Sequence, residues 1–183
     1  MEVEDIIGEP VFVSLFKQTP RISTYLFALF AGPYTEFWYK GEGLQKRVFC
    51  RDSKKEDCNA EEMFKITSST INYYENMFQT PYPFDKIDYV YVPEFRIGAM
   101  ENVGAITVNE SFIPGDDKIT ELRRRYRAFI VAHELAHMWF GDLVTIKWWN
   151  ETWLKESFAD FASSTLMKEN AEMAQDYPEG EYF

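Results

Sequence analysis

Hydrophobic and polar positions change period twice along the chain. Up to about Cys50 the apolar residues are β-branched and aromatic clusters, at Val11 to Phe16, Ser23 to Phe30, Glu36 to Lys40 and Arg47 to Cys50. Turn residues at Pro20, Gly32-Pro33 and Gly41 to Gly43 separate them, so this part reads as strands. From Asn59 to Gln79 the spacing becomes helical, with Met63, Ile66, Ile71, Tyr74 and Met77 on one broad face. Pro81 and Pro83 stop that helix. Ile87 to Val92 and Ala105 to Val108 read as strands, and Arg96 to Val103 between them suits an edge strand or turn. A long helix is expected from Asp117 or Thr120 to Gly141, with Leu122, Tyr126, Phe129, Ile130, His133, His137 and Phe140 on its apolar face. A second, about Glu151 to Asn170, follows an aromatic connection through Trp148 and Trp149.

Composition narrows what such a chain can do. With 46% hydrophobic, 17% aromatic and 27% charged residues, the 183 positions suit one packed core. A net charge of -11 repels phosphate backbones and anionic lipids, so a nucleic-acid partner is not expected. No apolar run reaches the roughly 20 residues of a transmembrane segment. The longest, Tyr25 to Ala31, reads as a buried strand. Met1 is followed by Glu2, Glu4 and Asp5, where a signal peptide would carry basic residues. Cys50 and Cys58 have neither zinc-knuckle spacing nor the number of a disulfide scaffold, and read as reduced thiols in the cytoplasm.

The chemistry concentrates in His133-Glu134-Leu135-Ala136-His137, which holds the only two histidines of the chain. On a helix, four residues turn the chain by about 400°, so the imidazoles point within about 40° of each other and about 6 Å apart. They can share a cation, and Glu134 projects toward the same space. Glu156, 19 residues after His137 on the following helix, can return as a third ligand. Two imidazoles and one carboxylate leave the fourth position of a single Zn2+ open to water, the pattern of a catalytic site. Such a metal lowers the pKa of its water, and Glu134 fits the general base that takes the proton. Asp160, one turn past Glu156, is either a partner for a ligand imidazole or a solvated carboxylate. Upstream, Gly98-Ala99-Met100-Glu101-Asn102 pairs small residues with an acid. An edge strand there can hydrogen-bond an extended peptide, and Glu101 can meet its α-ammonium or simply be solvated.

These strings together resemble the M1 family of zinc aminopeptidases, of the gluzincin type. GAMEN at 98 to 102, HELAH at 133 to 137 and the glutamate at 156 carry the resemblance. Ser23 to Pro33, Tyr82 to Lys86, Val92 to Phe95, Trp139 to Gly141 and Trp148 to Asn150 extend it. It implies an α+β fold: residues 1–34 as the end of an N-terminal β domain, and 35–183 as the first part of a thermolysin-like catalytic domain. It implies His133, His137 and Glu156 on zinc, Glu134 as general base, and Glu101 on the free amine. Gly98 and Ala99 would contact the peptide backbone, with Asn102 closing the motif. Met100 would shape the first side-chain pocket or serve as a core methionine. Lys155 departs from the family's usual asparagine. The tyrosine that would stabilise the tetrahedral intermediate is expected beyond Phe183, since Tyr177 and Tyr182 follow Glu156 too soon. The implied partners are peptides with a free N-terminus, and the remainder of the enzyme or another subunit. An alternative is a zinc-binding interaction subunit of low activity; a thermolysin-like endopeptidase is a third reading.

Overall fold

The computed structural model describes residues 2–4, 10–13, 15–113 and 119–178. Strands β1 (Glu2–Glu4) and β2 (Pro10–Phe12) form an antiparallel pair. The main sheet takes β3 (Tyr34–Trp38), β4 (Gln45–Arg51), β5 (Lys86–Val92), β6 (Ala99–Met100) and β7 (Ala105–Asn109) in the order β3-β4-β5-β7-β6. The outer pairs are antiparallel, while β4, β5 and β7 run parallel. Parallel neighbours need a crossover, and helix α1 (Ala60–Phe78) supplies it between β4 and β5. As the central strand, β5 buries Ile87 through Tyr91 without a break, whereas β4 alternates.

Helix α1 starts where Asn59 caps the Glu62 amide at 3.1 Å and ends at Gln79, whose φ is 51°. Helix α2 (Glu121–His137) is capped by Thr120 on the Arg123 amide, the second of the two expected starts; Asp117 lies outside the described residues. Helices α3 (Thr152–Glu169) and α4 (Ala171–Asp176) complete the fold. Met63, Phe64, Ile66, Tyr74, Tyr89, Ile106, Leu135 and Leu166 are buried between helices and sheet. The Tyr74 hydroxyl donates to the Ala132 carbonyl at 3.0 Å and ties α1 to α2. The architecture is α+β.

Three expectations are corrected. Residues 25–31 are no strand: Thr24–Leu26 forms a short 3₁₀ turn, Leu26 alone of the seven is buried, and Phe27 and Leu29 are 75% and 83% exposed. Its backbone bonds are local, and Asn102 Nδ2 donates to the Leu26 carbonyl where a ladder would have been. Cys50 and Cys58 are not free thiols but a disulfide, because the 3₁₀ turn Asp52–Asp57 folds the chain back to a Cα separation of 6.7 Å. Disulfides persist in oxidising surroundings, so the thiols lend no support to a cytoplasmic location. Finally, α2 does not bury Leu122 or Tyr126; its buried arc contains Arg127, Ala128, Val131, Glu134 and Leu135. A charged pair between Arg127 and Glu62 of α1 occupies the inside of that arc. No helix among the described residues is long and apolar enough to cross a membrane.

Candidate metal centre

The last turn of α2 and the first turns of α3 meet at one point. His133 Nε2 and His137 Nε2 are 3.1 Å apart, and each is 3.4 Å from Glu156 Oε2. Tetrahedral zinc with ligand bonds near 2.0–2.1 Å sets its ligand atoms about 3.3 Å apart, so this triangle has the size of one face of such a site. The other nitrogen of each ring is already engaged. His133 Nδ1 lies 2.8 Å from Asp160 Oδ1, and His137 Nδ1 is 3.1 Å from the Phe140 carbonyl. Nδ1–H donation to those acceptors turns two Nε2 lone pairs toward one another, an arrangement that a shared cation relieves. The donor set therefore fits a metal ion.

The chain after α2 is shaped for this contact. Gly141 has a φ of 133°, and a Cβ there would lie 3.1 Å from His137 Nδ1. The Asp142 amide donates to the His137 carbonyl at 2.9 Å and closes the turn. Hydrogen bonds with both imidazoles hold the Glu156 carboxyl far below the usual carboxylate range. Burial lowers the His133 imidazole, but Glu156, Glu134 and Asp160 outweigh it and leave it raised.

Glu134 belongs to the same charge cluster. It is buried, its Oε2 has no hydrogen-bond partner among the described residues, and burial pushes its carboxyl up to about 8, with His133 opposing and Glu101 and Glu156 adding. An unsatisfied carboxylate oxygen inside a protein needs a reason, and a proton-accepting role is one.

Ala99 and Met100 form β6, which pairs with β7 on one side and ends the sheet on the other. Among the described residues no strand pairs with its outer edge, which can therefore take an extended chain. Gly98 packs against α2, since a Cβ there would meet Ile130 Cδ1 at 3.0 Å. Glu101 is buried, and its Oε1 accepts from Lys155 Nζ at 2.5 Å and from the Tyr25 hydroxyl at 3.3 Å. Asn102 is committed internally, its Nδ2 to Leu26 and its Oδ1 to the Thr107 hydroxyl at 2.7 Å, so it braces the turn.

Sequence reasoning missed three groups. Lys155 bridges Glu101 and Glu156, and only its unusual identity beside the ligand glutamate marked it. Tyr25 reaches Glu101 from 76 positions away. Asp142 is buried with neither carboxylate oxygen hydrogen-bonded, and burial together with Glu101 raises its carboxyl to about 9. No spacing signal links either residue to the site.

An α+β domain that gathers two imidazoles and a carboxylate beside a sheet-edge strand defines a candidate mononuclear metal centre. The sequence model of the peptidase family M1 domain matches residues 62–181, and the chain belongs to that family. It is 42% identical over 153 residues to an aminopeptidase N of Streptomyces lividans, covering 81% of this chain and 18% of that protein. The corresponding figures are 38% over 151 residues, 81% and 16% for an aminopeptidase N of Oryctolagus cuniculus. A leucyl aminopeptidase of Saccharolobus solfataricus is 40% identical over 148 residues, covering 81% and 19%. The chain spans less than a fifth of the length of these relatives.

Proposed function

We propose that this segment carries the zinc- and peptide-binding core of an aminopeptidase that hydrolyses the first peptide bond of peptides with a free N-terminus. Family membership supports peptidase chemistry, and the triangle of His133, His137 and Glu156 atoms is the observation that carries the metal. Zinc held there supplies a Lewis acid that polarises a carbonyl and lowers the pKa of a coordinated water. The chain's own residues do the rest. Glu134, buried and unpartnered at Oε2, takes a proton from the attacking water and delivers it to the leaving amine. The outer edge of β6 pairs with the substrate backbone through Gly98 and Ala99, Met100 borders the first side chain, and Glu101 receives the α-ammonium. Asn102 supports that turn from behind. Asp160 and the Phe140 carbonyl orient the imidazoles.

On this reading, residues 1–34 end an N-terminal β domain and residues 35–183 begin a thermolysin-like catalytic domain. Glu134 Oε2, buried without a hydrogen-bond partner among the described residues, favours catalysis over the scaffold alternative, which would not require it. The test is Glu134→Gln in the natural full-length protein, assayed on L-leucine p-nitroanilide and its N-acetyl counterpart. Zinc should stay at one per chain while kcat falls roughly 10²- to 10⁴-fold. Retained turnover would overturn the base assignment, and equal cleavage of the acetylated substrate by the unaltered protein would favour the endopeptidase.

A further inference from the structure

Lys155 is a buried cation set between the two acids of the site. Its side chain is 5% exposed, and its ammonium lies 2.5 Å from Glu101 Oε1 and 2.6 Å from Glu156 Oε1. Tyr25 adds to the same arrangement, with its ring centroid 5.5 Å from Lys155 Nζ and its hydroxyl on the same Glu101 oxygen. Both side-chain hydrogen bonds that Glu101 receives among the described residues therefore fall on Oε1. Removed from water, that carboxylate already has a full counter-charge within contact. A second ammonium arriving at Glu101 gains less than it would at an unpaired acid, and it is repelled by the one in place.

We propose that Lys155 sets how strongly this protein demands a free α-amine. It shares Glu101 with the N-terminal ammonium of the substrate, weakens capture of free-amine peptides and relaxes discrimination against N-blocked ones. This rests on the reading that Glu101 receives the amine. Lys155 is a specificity-determining residue that acts through Glu101. Its second contact, on Glu156 Oε1, leaves Oε2 facing the imidazoles and makes zinc content a necessary control.

The experiment uses the natural full-length protein, with L-leucine 7-amido-4-methylcoumarin and its N-acetyl derivative as probes. Lys155→Met keeps the bulk of the side chain and removes the charge. It should lower KM for the free-amine probe about tenfold, with kcat changing much less, because the ammonium becomes the sole partner of Glu101. The ratio of kcat/KM between free and acetylated probes should rise accordingly. Lys155→Arg keeps the cation and should keep the original ratio. If Lys155→Met loses zinc, Lys155→Gln is read with the same expectation, since its amide still donates to Glu156. Loss of zinc from both would overturn the proposal, because Lys155 would then be a clamp on the metal ligand. Glu101→Gln separates the two levels. An unmoved KM in that variant removes the amine reading itself, whereas a raised KM there, with an unchanged or raised KM in Lys155→Met, removes only the role of Lys155.

Discussion

An imidazole can serve a metal well only if its second nitrogen is held, and this chain holds both. His137 uses a backbone carbonyl three residues on, which no substitution can remove, but His133 depends on the Asp160 side chain at 2.8 Å. Asp160→Ala should therefore weaken zinc binding roughly 10- to 100-fold, with His133 free to rotate and its tautomer unspecified. Competition against a chelator of known affinity measures it directly, and an unchanged zinc affinity would make Asp160 an ordinary surface acid. Asp160 was legible in the sequence as one of two things, a partner for an imidazole or a solvated carboxylate, since it stands one helical turn beyond Glu156. So was the ligand triangle, because helical spacing fixes two of its corners. The pairing of Lys155 with Glu101 was not. It joins positions 54 apart on separate elements, and only the packed fold brings them into contact.

Elements whose ends are set by local chemistry were read closely from the pattern. Asn59, Thr120 and the prolines after Gln79 act on their immediate neighbours, and α1 begins and ends, and α2 begins, accordingly; α2 stops at His137, four residues before the Gly141 end that the pattern suggested, so Phe140 lies outside it. The faces of elements were harder. Helix α2 turns Arg127 inward because Glu62 of α1 waits there, joined by Arg124 at 2.8 Å and by the Tyr177 hydroxyl at 3.2 Å. Hydrophobicity along α2 alone cannot announce a buried guanidinium whose partner lies 65 positions upstream. The network has a mechanical consequence. Glu62→Ala would leave Arg127, 3% exposed, without its counter-charge and would remove one of the links that join α1, α2 and the segment after α4. The expected loss is about 3–5 kcal/mol, as for other buried pairs broken from one side. Urea unfolding checks it, and a loss below about 1 kcal/mol, the scale of an exposed pair, would show that the network is solvated in practice.

At the scale of the whole molecule, the helical layer is finished on one side only. Helix α2 packs against α1, α3 and β6, and α3 against α2 and α4, yet Leu122, Tyr126, Trp153 and Phe161 are each more than half exposed. Trp148 and Trp149 in the connection between α2 and α3 are exposed at 69% and 57%. Large apolar side chains left this exposed are candidates for cover by other protein. The relatives are more than five times the length of the part that this chain matches. Residues 1–183 expressed alone should thus bind one zinc, since its three ligands and Asp160 all lie within them, but should self-associate. Turnover should be low as well: an oxyanion-stabilising donor is worth roughly 10²–10³ in kcat, and an uncovered site stays wet. Light scattering coupled to gel filtration, run beside zinc analysis and an aminoacyl coumarin assay of both this segment and the full-length protein, reads all three quantities. Association with full zinc occupancy and at least a hundredfold deficit in kcat/KM is the expected result, the deficit being about that of one missing donor. A monodisperse monomer would mean that the exposed aromatic face needs no cover. Turnover equal to that of the full-length protein would place every group the reaction needs within these 183 residues.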